Sequence, residues 1–149
     1  MEELGCEIGN HSFDHADLAT LSAEDVTSQL SRTDEEIQNL VGHSATVVRP
    51  PYGSFNDTVA GIAARPLIMW SVDTLDWETQ NADSTVQNVM DNAQDGAIIL
   101  MHDIFKESVD AAEVFIPQLI QEGYQLVTVS ELAAAKGITL EAGTSYGAF

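Results

Sequence analysis

Short apolar runs alternate along the chain with segments in which apolar residues recur at helical spacing. The runs predict strands. One of them, 97–101, is apolar without alternation, which indicates a strand covered on both faces. The five predicted strands span 6–8, 46–48, 67–72, 97–101 and 125–129.

The segments between these runs carry signals for helix ends. Ser22, with Asp25 three residues later, resembles a capping box, and Gly42 ends the helix that follows. Repeated strand–helix units predict an α/β fold with a parallel sheet and right-handed crossovers. Further helices are predicted around 57–64, 84–93, 109–120 and 130–137.

Most of the chemically reactive side chains follow the predicted strands. In parallel α/β folds the carboxyl ends of the strands lie at one edge, where ligands usually bind. We therefore expect these side chains to converge on one rim. They are His11 and His15 after the first strand, Arg49 and Tyr52 after the second, Asp73, Asp76 and Trp77 after the third, and His102 after the fourth.

Size and charge narrow the class of protein. A chain of 149 residues with 44% hydrophobic and 19% charged residues fits one globular domain. Its 24 acidic and 5 basic residues give a formal charge of −19, which repels polyanions, so nucleic acids and anionic membranes are poor partners. No apolar run reaches the roughly 20 residues of a membrane helix, and a single cysteine provides no disulfide framework.

His11 and His15 are four residues apart, a spacing that lets both imidazoles reach one metal ion from a single turn or compact loop. Two ligands alone do not make a complete site. The alternative is a pair of histidines with no shared ligand, on the surface or in the core. Their position directly after a strand favours the metal interpretation.

Arg49 opens the sequence Arg-Pro-Pro-Tyr-Gly, whose prolines predict a rigid loop. The simplest interpretation is a turn with a solvated arginine. Among carboxylates and histidines, however, Arg49 could orient a carboxylate with two hydrogen bonds. The stiff loop could also direct a backbone N–H at a developing oxyanion.

Asp73, Asp76 and His102 are candidates for acid–base chemistry, and either aspartate could be the partner of the histidine. A carboxylate beside His102 would hold the imidazole in the tautomer that a general acid needs. Trp77 and Leu100 would then line a small apolar pocket. The alternatives are aspartates that only cap or solvate a loop, a tryptophan in the core, and a buried histidine satisfied by Asp103 or a carbonyl.

Taken together, four segments resemble the motifs of the polysaccharide deacetylase family, also called the NodB-homology family or carbohydrate esterase family 4. Each motif alone is weak, but the four occur in order at matching spacing. The resemblance runs from about residue 2 to about residue 133. The segments are Glu-Ile-Gly-Asn-His-Ser-x-x-His at 7–15, Arg-Pro-Pro-Tyr-Gly at 49–53, Asp-x-x-Asp-Trp at 73–77 and Leu-Met-His-Asp at 100–103.

The resemblance implies a distorted (β/α) barrel over 1–137, incomplete at its N-terminus, followed by an irregular tail over 138–149. It also implies a hydrolase that binds one divalent metal, with zinc as the expected ion. The implied substrates are acetylated polysaccharides: N-acetylglucosamine polymers such as chitin or peptidoglycan, or acetylated xylan. The usual location of the family is outside the cell or at its surface.

The resemblance also implies roles for individual residues. His11 and His15 would be metal ligands, Arg49 would orient the aspartate that acts as catalytic base, and the backbone N–H of Tyr52 would help to hold the oxyanion. In the other motifs, Asp76 would tune His102, the general acid that protonates the leaving group, while Trp77 and Leu100 would receive the acetyl methyl group.

One family motif is missing. Members begin with a strand that ends in a Thr-Phe-Asp-Asp-like motif, which supplies the catalytic base and the third protein ligand, and nothing before His11 contains it. We therefore expect weak metal binding, impaired activity and an open sheet edge that promotes self-association. The rival expectation is a non-catalytic remnant that binds saccharide or is purely structural. A phosphoesterase is disfavoured by the negative charge.

Overall fold

The computed structural model describes residues 1–149, apart from the side chain of Glu2. Helices and short parallel strands alternate, which confirms the predicted α/β class. The strands are Gly9–Asn10 (β1), Val47–Val48 (β2), Leu67–Ile68 (β3), Val72–Asp73 (β4), Ile99–Leu100 (β5) and Ser145–Tyr146 (β6). The α-helices are Ala23–Val41 (α1), Asp57–Ala63 (α2), Asp76–Thr79 (α3), Ala82–Asn92 (α4), Lys106–Gln121 (α5) and Val129–Ala135 (α6), and 3-10 turns lie at Glu2–Leu4, Leu18–Thr20 and Pro51–Gly53.

The chain divides into two compact units. The first unit comprises Met1–Met69 and Thr128–Tyr146, and the second comprises Trp70–Val127 and Gly147–Phe149. Each unit has its own hydrophobic cluster, which is the physical basis of the division. Among the described residues, no helix combines the length and the apolar character needed to cross a membrane.

The first unit contains a parallel sheet in the order β1-β2-β3-β6. Val48 of β2 is in register with Asn10 of β1 and with Leu67 of β3. Helix α1 has the predicted ends: the Ser22 side chain accepts a hydrogen bond from the N–H of Asp25, and Gly42 adopts φ 88°. The cluster beneath the sheet consists of Leu18, Val26, Leu30, Val48, Val59, Ala63 and Leu67.

Strand β6 differs from the expectation of an irregular tail over 138–149. It pairs in parallel with β3, so that Leu67 faces Ser145 and Ile68 faces Tyr146. The N–H groups of Leu67 and Met69 donate to the carbonyls of Thr144 and Tyr146 at 2.9 and 2.8 Å. The tail thus satisfies backbone groups of β3 that would otherwise lack a partner.

The second unit contains the two-stranded parallel sheet β4-β5, in which Asp73 faces Leu100. Helices α4 and α5 pack through Val89, Ala111, Phe115 and Leu119. The predicted strand 67–72 is wrong as a single element, because β3 and β4 belong to different sheets. Asn81 caps α4 and accepts a hydrogen bond from the Ser84 N–H, so this helix begins before the predicted residue 84.

The predicted strand 125–129 is also wrong. Residues 125–127 have no strand assignment, and no strand pairs with them within the part of the chain that the structure describes. Helix α6 begins at Val129, and Thr128 and Glu131 form a capping box at its start. A strand needs a neighbour for its backbone hydrogen bonds, so apolar character alone did not produce one here.

Candidate active site

Asn10, the last residue of β1, is fully buried and fixes the start of the histidine loop. Its amide nitrogen donates to the carbonyl of Leu30 and to Oδ1 of Asp34, both at 2.9 Å. Its Oδ1 accepts a hydrogen bond of 3.0 Å from the N–H of Ser12. The buried amide of Asn10 therefore fixes the residues immediately before and after His11.

Asp34 in turn is held by Arg65 through two parallel hydrogen bonds of 2.7 and 2.8 Å. Arg65 also donates to the carbonyls of Ala45 and Ala63, both at 3.0 Å. Fork geometry of this kind suits the arginine guanidinium, and a lysine could not reproduce it. Asn10, Asp34 and Arg65 therefore form one network that ties β1 to α1 and to the end of α2, here called the Asn10 network.

The two predicted metal ligands lie together in the first unit. The ring centroids of His11 and His15 are 4.9 Å apart, and the His15 and Tyr52 rings are 4.7 Å apart. Nδ1 of His11 lies 2.5 Å from the carbonyl oxygen of Arg49. Ser12, His15 and Tyr52 all have φ between 56° and 61°, a region that L-residues seldom adopt and that clusters at functional sites.

The side chain of Gln29 on α1 also shapes the histidine loop. Its Oε1 accepts hydrogen bonds of 2.9 Å from the N–H groups of Phe13 and Asp14, and its Nε2 donates to Oδ2 of Asp14. Arg32, one turn along the same helix, lies 3.7 Å from the centre of the Phe13 ring. Gln29 and Arg32 therefore tie residues 13 and 14 of the histidine loop to α1.

The side chain of Arg49 donates to backbone carbonyls of the described residues. Its Nε and Nη2 donate to the carbonyls of Ile68 and Met69 at 3.2 and 3.3 Å. Burial lowers the pKa of the guanidinium from its ordinary value. Among the described residues, no carboxylate lies within ion-pair distance of it.

The histidine pair fits a metal ion as part of a ligand set. A proton on Nδ1 of His11, donated to the Arg49 carbonyl, makes Nε2 the unprotonated ring nitrogen, and ligating histidines commonly donate their other ring N–H to a carbonyl in this way. Zinc sites in enzymes normally have three protein ligands. No group of three or more His, Cys, Asp or Glu side chains suited to a metal occurs among the described residues, so the fit extends to two ligands.

In the second unit, Asp76 and His102 form a hydrogen-bonded pair. Oδ1 of Asp76 lies 2.9 Å from Nδ1 of His102, and Oδ2 accepts a 2.7 Å hydrogen bond from the His102 N–H. The parallel pairing of β4 with β5 brings these segments together, and Thr74 secures them by donating to the carbonyl of Leu100 at 2.9 Å. The predicted pairing of Asp76 with His102 is thus present.

The Asp76 carboxylate receives two further hydrogen bonds. The Trp77 N–H donates to Oδ1 at 2.9 Å, and the Ser108 hydroxyl donates to Oδ2 at 2.7 Å. Burial alone would raise the pKa of Asp76, whose side chain is 1% exposed, but the hydrogen bonds from Ser108 and His102 outweigh it and lower the pKa. Asp76 is therefore held as a buried anion.

The remaining candidates of the second unit have different environments. Trp77 is 48% exposed, whereas Leu100 is buried. The side chain of Asp73 accepts a 3.0 Å hydrogen bond from the N–H of Leu75, which adopts φ 56°. Asp73 therefore has the loop-capping role that the simpler interpretation of the sequence gave it.

Two polar residues of this site were missed from the sequence: Ser108 and Thr74. Both are buried hydroxyls whose partners lie 32 and 26 residues away along the chain. The available signal was weak: Ser108 lies in the first turn of the helix that follows His102, where a side chain can reach back towards the preceding strand end.

The chain resembles known proteins in both sequence and fold. A profile described as "Polysaccharide deacetylase" matches residues 1–66. The solved structure of the peptidoglycan deacetylase PdaC from Bacillus subtilis is 42% identical, with a TM-score of 0.90 over 92% of this chain and 68% of that one. The chain belongs to the polysaccharide deacetylase family. Its fold is that of the NodB-type deacetylases, represented here by part of the distorted barrel.

Other members of the polysaccharide deacetylase family agree with this assignment. The peptidoglycan-N-acetylglucosamine deacetylase PgdA from Listeria monocytogenes is 39% identical over 97% of this chain. An acetyl xylan esterase from Clostridium thermocellum, solved with a cobalt ion, is 28% identical, with a TM-score of 0.92 over 99% of this chain and 75% of that one. The chain spans about 30% of the length of the curated relatives PdaC and PgdA.

Proposed function

We propose that this chain contributes to a metal-dependent hydrolase that removes acetyl groups from the glycan strands of peptidoglycan. The observation that carries the proposal is the buried Asp76 carboxylate directed at Nδ1 of His102. PdaC and PgdA, which are named as peptidoglycan deacetylases, support the substrate class. Chitin fragments and acetylated xylan are the alternative substrates of the same chemistry.

His102 is the proposed general acid. Asp76 accepts a hydrogen bond from Nδ1, so Nε2 is the atom that exchanges a proton with substrate. In the hydrolysis, water gives one proton to the base carboxylate that Arg49 is proposed to orient and adds to the acetyl carbon. The bond from that carbon to the glycan nitrogen then breaks, and Nε2 of protonated His102 gives its proton to the leaving amine. The products are acetate and a free amine on the sugar.

The first unit supplies the proposed electrophilic groups. His11 and His15 are the residues of this chain that would hold a divalent metal, zinc being our first choice. When bound, the cation provides Lewis-acid polarisation of the acetyl carbonyl. The backbone N–H of Tyr52, presented by a residue with φ 58°, is a proposed donor to the oxyanion. Arg49 is proposed to orient a base carboxylate. In the second unit, Trp77 and Leu100 are proposed to contact the acetyl methyl group.

Release of acetate tests this proposal. The substrates are N-acetylchitohexaose and peptidoglycan fragments, each supplied with zinc or cobalt and, in parallel, after treatment with a chelator. We expect slow, metal-dependent release that His102→Ala abolishes and that His43→Ala, on an exposed histidine outside the site, leaves unchanged. Release that is indifferent to both the chelator and His102→Ala would contradict the proposal.

A second candidate function is saccharide binding without catalysis. It is favoured by the small number of candidate catalytic groups among the described residues. The described residues contain two proposed metal ligands and no group of three, and no carboxylate among them pairs with Arg49. Binding of the same oligosaccharides that is unaffected by the chelator, together with no acetate release at any metal concentration, would support this candidate over hydrolysis.

A further inference from the structure

Ser108 has a buried hydroxyl whose hydrogen bond goes to a residue outside its own helix. It lies in the first turn of α5 and is 2% exposed. A serine inside a helix commonly bonds to a carbonyl one turn earlier. Ser108 instead donates at 2.7 Å to Oδ2 of Asp76, which lies 32 residues earlier in the chain.

The hydrogen bonds at Asp76 leave little room for any other arrangement. An ionised carboxylate offers about four acceptor positions. Trp77 N–H and His102 Nδ1 face Oδ1, while His102 N–H and Ser108 Oγ face Oδ2. Every position is filled, so protonation of the carboxyl group would displace a donor.

Ser108 differs from the other donors in its location. Trp77 and His102 belong to the two segments that form the pair, and they move with it. Ser108 belongs to α5, which also supplies the buried Ala111 and Phe115 to the hydrophobic cluster of the second unit. Its hydroxyl therefore connects the Asp76 carboxylate to a helix that is anchored in that hydrophobic cluster.

We propose that Ser108 is a positioning residue, which holds Oδ2 of Asp76 so that Oδ1 faces Nδ1 of His102. The assignment rests on the proposed role of His102 and adds the group that keeps its partner aligned. With Oδ1 fixed, the neutral imidazole carries its proton on Nδ1 and leaves Nε2 for substrate. Without the hydroxyl, the His102 N–H is the one remaining donor to Oδ2 among those described, and the carboxylate is less firmly held about its Cβ–Cγ bond, a torsion with a broad minimum.

The tautomer of His102 provides a test that needs neither metal nor activity. Long-range proton–nitrogen NMR of the labelled chain separates the two imidazole tautomers, and His102→Gln assigns the signal among the four histidines. We expect Ser108→Ala to lower the ratio of Nδ1–H to Nε2–H tautomer by about threefold or more, because it removes one hydrogen bond to a charged group. Ser108→Thr, which retains a hydroxyl, should restore the ratio.

Thr85 offers a matched control in the same unit. It is fully buried, and its hydroxyl has no hydrogen-bond partner among the described residues. Thr85→Val removes a buried hydroxyl without touching Asp76 and should leave the tautomer ratio unchanged. An unchanged ratio in Ser108→Ala, or an equal fall in both variants, overturns the proposal.

Two further measurements keep the test decisive. If Ser108→Ala does not fold, Ser108→Cys, with a weaker donor of similar size, should give an intermediate ratio, and a wild-type ratio there overturns the proposal. Where acetate release is measurable, Ser108→Ala should lower kcat more than it raises KM. Absence of acetate release from the wild-type chain would sink the proposed function but would leave the tautomer result intact.

Discussion

Nδ1 of His102 lies 2.9 Å from Oδ1 of Asp76, and this carboxylate is almost completely shielded from solvent. A buried anion is costly unless its acceptor positions are filled, and here four donors fill them. The pair therefore links stability to function: the hydrogen bonds that keep Asp76 charged also fix which nitrogen of His102 faces substrate.

Asp76→Asn should destabilise the chain. The amide has one oxygen in place of two, and its NH₂ group would face donors that now bond to Oδ1 or Oδ2. We expect the free energy of unfolding to fall by about 1–3 kcal/mol, measured by urea denaturation at neutral pH. Asp83→Asn, an exposed change in the same unit, is the control, and equal stability of the two variants would contradict this explanation.

The stability of the chain should depend on Asp76 at low pH. Because the pKa of Asp76 is lowered on folding, the charged group stabilises the native state. That contribution is complete above the unfolded-state pKa of about 3.9 and is lost as the pH falls through the lower native pKa. Urea denaturation between neutral and strongly acidic pH should show a smaller acid loss in Asp76→Asn than in the wild type; identical pH profiles would refute the assignment.

The Asn10 network should be worth more than a surface ion pair. Arg65→Met leaves Asp34 partly buried without its partner, and we expect a loss of about 2 kcal/mol in unfolding free energy. The comparison is Lys106→Met, which breaks the exposed pair of Lys106 with Asp110 and should cause no measurable change. Similar losses in both variants would mean that the network gives no special support to the histidine loop.

Zinc or cobalt should raise the melting temperature through the histidine pair. A ligand that binds only the folded chain stabilises it by mass action, and His11→Ala or His15→Ala should remove the shift. With two ligands from this chain, the shift should saturate only at high metal concentration. His43→Ala is the control. A shift that persists without both histidines would place the metal elsewhere.

We expect the chain to self-associate, because it has an unpaired strand edge and exposed apolar side chains. Strand β1 forms one edge of its sheet, and residues 125–127 expose Leu126 and Val127 without a strand partner in the described part of the chain. Light scattering should show a concentration-dependent mass above that of the 149-residue chain, and Leu126→Lys should reduce it. A monomer at all concentrations, with a sharp melting transition, would rule this out.

Local signals in the sequence were sufficient for several features. Ser22 and Gly42 define α1 because capping depends on neighbouring backbone groups. The order of the motifs predicted the family. The rule that strand ends meet in a parallel sheet placed a carboxylate of the 73–77 segment near His102, and the family resemblance identified that carboxylate as Asp76. These features depend on spacing within a segment or on a rule common to all parallel sheets.

Only the tertiary structure decided which distant groups meet. The hydrogen bond from Ser108 to Asp76, the two bonds from Arg65 to Asp34 and the pairing of β6 with β3 join residues far apart in sequence. Apolar periodicity reports which face of a segment is buried, but it does not identify the partner that satisfies a buried polar group. The failed strand at 125–129 has the same cause, because a strand exists only where another backbone completes its hydrogen bonds.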